Sequence, residues 1–192
     1  MIQSLNLNDY YNEFISNLQP FGLFEELELL KSRIINTKLR GGKIVLIGNG
    51  ASASIASHAA LDLSKQAGIR SLTFNDATLI TALVNDISRE NWLIKACDIY
   101  IDGNDLVIFI SVSGESPNLV NAAKSLSSKK IEIVSFTGKK NKNSLMSLSD
   151  QSFKVNSNSY NIVESIHMIW ITSVIDLIIG KSEYEVSSSV VK

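Results

Sequence analysis

Cysteine is almost missing from this chain, and its scarcity narrows the choices at once. A lone Cys97 in 192 residues excludes a disulfide framework and a thiolate metal cluster and fits a reducing cytoplasm. It reads as a small buried hydrophobe. Histidine is scarce too, at two residues, so any imidazole chemistry rests on His58 or His167. Proline occurs twice, and both copies punctuate helices. Pro20 ends one segment, and Pro117 follows Ser116 at a first helical position, where a missing N–H is harmless. An excess of one charge is also absent. Lys plus Arg number 18 against 19 Asp plus Glu, so nothing supports non-specific binding to nucleic acid or a membrane surface, and any anion site must be local. The amino terminus carries acids and aromatics rather than a basic stretch followed by an apolar run, so no signal peptide is expected.

What is present is a pair of matching stretches, KIVLIGNGAS at Lys43–Ser52 and DLVIFISVSGES at Asp105–Ser116. Each apolar run is too short for a buried helix and reads as a strand covered on both faces. Each ends in small polar residues and then a helical pattern, which places the Gly/Ser loops at the carboxyl ends of strands, where open α/β sheets bind ligands. Small side chains let backbone N–H groups approach an anion, serine hydroxyls add donors, and the following helix N-terminus adds partial positive charge. The plainer reading is two ordinary βα turns. Two such loops facing one crevice favour a phosphorylated small molecule.

Around these loops the chain alternates. Helices are expected over about Leu7–Leu18, with Asn8 as N-cap, and Phe21–Leu39, breaking at Gly41-Gly42. Strands follow at Lys43–Ile47, Arg70–Phe74, Leu106–Ile110, Glu132–Phe136 and Phe153–Val155. Between and after them lie helices at Ala53–Gln66, Ala77–Val84 (capped by Asp76), Arg89–Ile101 with the stripe Trp92, Leu93, Ala96 and Ile99, a helix from Pro117, and Tyr160–Ile179. The result is one α/β domain with a parallel sheet of about five strands and helices on both faces. The two leading helices (1–40) either pack on the core (43–180) or supply a subunit interface, and the interface is favoured. The serine-rich tail 183–192 is expected to fray, and Lys139, Lys140 and Lys142 to form a solvated loop. The final helix is apolar nearly all round, but Glu164, His167 and Asp176 interrupt it at depths costly in a bilayer. It reads as a helix buried on most faces, one of them against another subunit.

Each histidine has a carboxylate on its own helical face: His58 with Asp62 four residues on, and Glu164 with His167 three residues on. Such pairs can bind a divalent metal or move protons; the plainer readings are a surface ion pair and a satisfied core histidine. Asn85-Asp86 is either a helix end or a grip on substrate hydroxyls.

GNGAS ahead of a helix with His58, then NDATLITALVND, SVSGESPN, VSFTG at Val134–Gly138 and IVESIH together resemble the sugar isomerase (SIS) domain family, within it the phosphoheptose isomerases. The similarity spans nearly the whole chain. It implies a three-layer α/β/α sandwich, a homotetramer with sites shared between subunits, and isomerisation of sedoheptulose 7-phosphate to a heptose 7-phosphate. It also implies phosphate and substrate contacts from Asn49, Gly50, Ala51, Ser52, Ser111, Val112, Ser113 and Ser116, with Asn85 and Asp86 on the sugar. Asp62 and Glu164 become the proton-transfer candidates, His167 joins them from its own place one turn on from Glu164, and zinc would be held by His58, Asp62 and Glu164. The chain departs where it matters: Asp62 stands for a glutamate, Glu164 for a glutamine, Val112 for a threonine and Thr172 for the second histidine. Asp62 has about 1.5 Å less reach, and misplacements near 1 Å can cost roughly a hundredfold in rate. Two expectations compete: an isomerase with a rearranged site of His58, Asp62, Glu164 and His167, or a non-catalytic relative that binds a sugar phosphate as sensor or tetrameric scaffold for another protein.

Overall fold

The computed structural model describes residues 6–139 and 141–183. Lys140 and all but Glu183 of the expected tail therefore lie outside the described residues. The helices α1 (Leu7–Leu18) and α2 (Leu23–Leu39) lead into β1 (Ile44–Gly48), α3 (Ala51–Lys65), β2 (Ser71–Thr73), α4 (Ala77–Asp86) and α5 (Trp92–Tyr100). They are followed by β3 (Leu106–Ser111), α6 (Pro117–Ser128), β4 (Glu132–Thr137), α7 (Ser144–Leu148), β5 (Gln151–Lys154) and α8 (Tyr160–Ile179). All strand pairs are parallel, in the order β2-β1-β3-β4-β5. The first crossover runs outward from β1 to β2 and later ones run the other way. The winding therefore reverses between β1 and β3, the point at which doubly wound sheets open a crevice beyond their carboxyl ends.

Alternation along the strands divides the core in two. Ile44, Leu46, Leu106, Ile108, Ile110, Val134 and Phe136 face α1, α2, α3 and α8. Val45, Ile47, Val107, Phe109 and Ile133 face α4, α5, α6 and α7. The sheet is thus apolar on both faces, as a parallel sheet with helical cover must be, and the expected three layers are present. Helix α8 is long and apolar enough to cross a membrane by length and composition. Here it is the central helix of one layer, with Ile162, Val163, Ile166, His167, Trp170, Ile171, Val174 and Ile175 buried. Trp170 donates its indole N–H to the Leu18 carbonyl at 2.9 Å, which satisfies its one polar atom inside the core.

Several local expectations need correction. Asn6, not Asn8, caps α1, its side chain accepting from the Asn8 N–H. Helix α3 begins two residues earlier than expected, so Ser52 lies buried in its first turn. Ile99 is exposed, and Cys97 takes its place in the buried stripe of α5. Helix α7 was not anticipated at all. Lys139 and Lys142 are exposed, as expected of a solvated loop.

Candidate functional site

Gly48 ends β1 because the helix that follows comes too close for anything larger: a Cβ there would lie 2.6 Å from the Ser52 backbone. Gly50, at φ 58°, turns the chain into α3. Between them Asn49 exchanges two side-chain hydrogen bonds with Asn118 of α6, at 3.0 and 3.1 Å. The loop after β1 is thereby tied across the switch point to the helix that the second loop opens.

In that second loop Gly114 donates its N–H to Ser111 Oγ at 3.1 Å, and Glu115 donates its N–H to Ser113 Oγ at 3.2 Å. Each hydroxyl is thus used by the loop as an acceptor, which leaves its own proton to be donated. Ser116 stands at the N-cap of α6, as expected, but makes no side-chain cap bond. Its hydroxyl is not spent on the helix. Val112 is buried and adds no donor. Between the first loop and α6 lies a cleft of about 760 Å³, whose walls include Asn49, Gly50, Asn75, Arg89, Trp92 and Ser116. Ser111 and Ser113 are not among them, and Ser113 borders a separate hollow with Glu115, Lys139 and Asn143.

Three of these residues were missed from the sequence. Asn75 precedes a recognisable N-cap, and Asn118 lies one residue past Pro117, so each was next to a visible signal. Arg89, expected at the start of a helix, instead precedes α5 and brings a cation to the cleft wall. Asn85 and Asp86 occupy the last turn of α4, exposed and bonded to each other at 3.0 Å. They adjoin the cleft-lining Val84 without lining the cleft themselves.

His58 and Asp62 form the expected pair on α3, with Nε2 and Oδ2 3.0 Å apart and the imidazole about half exposed. Glu164 is half-buried on α8, and burial pushes its carboxyl above the usual carboxylate range. His167 overturns an expectation. It is fully buried, its Nε2 lies 3.0 Å from the Thr137 carbonyl, and its ring meets Phe136 edge-on. Burial drives its pKa down to about 4 against the weaker opposite pull of that hydrogen bond. Three residues of helix leave an offset of about 60°, enough to leave Glu164 half-buried and His167 in the core. The rearranged site of His58, Asp62, Glu164 and His167 is therefore not formed, and His167 is not a proton-transfer group.

The zinc implied by the resemblance does not fit the donors one chain brings together. Among the described residues no three His, Cys, Asp or Glu side chains converge, so His58, Asp62 and Glu164 do not close on one ion. Thr172 donates its hydroxyl back to its own helix, to the Met168 carbonyl at 2.8 Å. Cys97 is buried with its thiol pushed up to about 12 by desolvation, which makes it inert as a nucleophile.

A doubly wound parallel sheet with two serine-bearing loops at its switch point is the architecture of α/β proteins that hold small anionic ligands. Residues 9–138 match the SIS domain, and the chain belongs to that family. It is 32% identical over 166 residues to the phosphoheptose isomerase of Helicobacter pylori, covering 82% of this chain and 84% of that one. It is 31% identical over 153 residues to the phosphoheptose isomerase of Thermodesulfovibrio yellowstonii, covering 75% and 76%. The fold is shared with the solved structure of a phosphoheptose isomerase from Francisella tularensis, at a TM-score of 0.83 and 21% identity over 91% of this chain and 97% of that one.

Proposed function

We propose that the chain is a phosphosugar aldose–ketose isomerase that converts sedoheptulose 7-phosphate, or a close variant of it, to a heptose 7-phosphate in the cytoplasm. The observation that carries this reading is the loop Ser111–Ser116, where Ser111 and Ser113 each accept a backbone N–H of the loop and keep a hydroxyl proton to donate, and where Ser116 makes no cap bond to its helix. Ser111, Ser113 and Ser116 hold the phosphate, and Asn49 fixes the distance to the first loop. Isomerisation needs a base to take a proton from the carbon beside the carbonyl and an acid to return one to its neighbour. Glu164, whose carboxyl is raised by burial, and Asp62, held 3.0 Å from His58 Nε2, are the groups for that exchange.

A second reading is favoured by one observation: Thr172, at the family's second histidine position, spends its hydroxyl on its own helix. On that reading the chain holds a sugar phosphate without turning it over. Incubation of purified protein with sedoheptulose 7-phosphate, with and without added zinc, followed by NMR, separates the two. New heptose anomeric signals are expected. A ligand-induced rise in melting temperature with no new signals selects the binder, and neither effect rejects both readings.

We further assign a homotetramer whose interface includes α1. That helix turns Tyr10, Phe14 and Leu18 to the core and leaves Leu7, Tyr11 and Ile15 in an outward row, 59–71% exposed. An apolar row of that kind calls for cover, and a second copy of the chain supplies it. Sedimentation at the tetramer mass is expected, with Tyr11→Glu/Ile15→Glu shifting the protein to smaller species. A monomeric wild type defeats the assignment.

A further inference from the structure

The serine loop is gripped from the α7 side by residues that do not line the cleft beside Asn49. Ser144, the first residue of α7, donates its backbone N–H and its hydroxyl to the two carboxylate oxygens of Glu115, both at 2.7 Å. The Leu145 N–H donates to the Gly114 carbonyl at 3.1 Å, and the Gly138 N–H to the Val112 carbonyl at 3.0 Å. Buried Asn143 packs on Gly114 so closely that a Cβ there would lie 2.2 Å from its Cγ. Gly114 itself has φ 64°, a conformation that leaves little room for a side chain. Val112, Gly114 and Glu115 are thus each held from the β4–α7 side. The hydroxyls of Ser113 and Ser116 receive no bond from it among the described residues.

We propose that Glu115 is a positioning residue for phosphate binding, anchored by Ser144 so that the hydroxyls of Ser111, Ser113 and Ser116 keep a fixed spacing. This rests on the reading of Ser111–Ser116 as the phosphate site. Glu115 does not touch the ligand. It acts through the loop, whose Glu115 N–H also fixes Ser113 Oγ. The Ser144 bonds hold its carboxyl below the usual range, so it is charged at neutral pH.

That charge makes the proposal testable by sign. A bare carboxylate one residue from Ser116 repels a phosphate dianion, so if Glu115 were only a nearby surface charge, removing it would tighten binding. If it positions the loop, removing it weakens binding. Calorimetric titration of the full chain with inorganic phosphate and with sedoheptulose 7-phosphate reads this directly. Glu115→Gln keeps the shape but removes the charge, so its contact with the Ser144 hydroxyl survives only as a neutral bond with the amide donating, and it is expected to bind both ligands roughly fivefold more weakly, as for loss of charge assistance. Ser144→Ala, which keeps the backbone donor, is expected to lose about threefold. The double variant should be no weaker than Glu115→Gln, because both changes break one contact. In turnover KM rises and kcat holds, a split that general loosening of the fold would not produce. Unchanged or tighter binding by Glu115→Gln overturns the proposal; should that variant melt early, unchanged binding by Ser144→Ala overturns it equally. A wild type that binds neither ligand overturns the phosphate site and the anchor together. A wild type that binds without turnover removes only the isomerase, and the sign of the Glu115→Gln effect still decides.

Discussion

Glu164→Gln lowers turnover of sedoheptulose 7-phosphate by about a hundredfold or more while phosphate binding stays within about twofold, the range expected when a general acid or base is lost and the binding loop is kept. Glutamine matches glutamate in shape and cannot exchange a proton. The phosphate contacts assigned here come from other elements, the loops after β1 and β3, so affinity has no reason to follow. Burial raises the Glu164 carboxyl, and its basic form therefore fills in as pH rises through a value above the ordinary carboxylate range. The acid limb of kcat/KM should lie correspondingly high and vanish in the variant. Asp62→Asn should behave alike in rate, since the 3.0 Å contact from His58 Nε2 orients a group that has lost its proton-accepting form. Rates within tenfold of wild type in both variants would remove these two carboxylates from the chemistry.

Acid destabilises this protein through His167. The folded-state pKa is about 4, against about 6.5 in an unfolded chain, so between these values the unfolded state binds more protons and stability falls as pH falls. The whole contribution is about 3 kcal/mol and is gone below pH 4, with about 2 kcal/mol of it lost between pH 7 and pH 5. The ring is enclosed by Phe136, Trp170 and the Thr137 carbonyl, and no charged group contributes to the shift. Urea unfolding of wild type and His167→Leu at both pH values measures it. Carboxylates elsewhere titrate in both proteins, so the difference between the two pH dependences isolates the imidazole. Equal dependences would mean that the ring meets water.

Much of the fold was legible because apolar runs ended where small residues began. Val107, Ile108, Phe109 and Ile110 could not alternate in and out of water, so β3 had to be covered on both faces, and the same holds for β1. Helix α8 declared its bounds through Tyr160 and Gly180. Helix α7 was invisible because its beginning reads as part of a polar lysine- and asparagine-rich run, and its two anchors, Leu145 and Leu148, are too few to show a period. The serine loop was legible as a phosphate site by composition, but the Glu115–Ser144 contact joins residues 29 apart and has no local signature. His167 was misread for a related reason. Spacing along α8 says which residues are neighbours, whereas the sheet beneath decides which of them it covers.

The Asn49–Asn118 pair has a mechanical consequence. Its two side-chain hydrogen bonds link residues 69 apart in sequence and tie the lips of the crevice to each other. A ligand that claims either amide for itself must first break one of these exposed bonds, so the pair adds a cost to any contact that turns Asn49 or Asn118 toward the bound molecule.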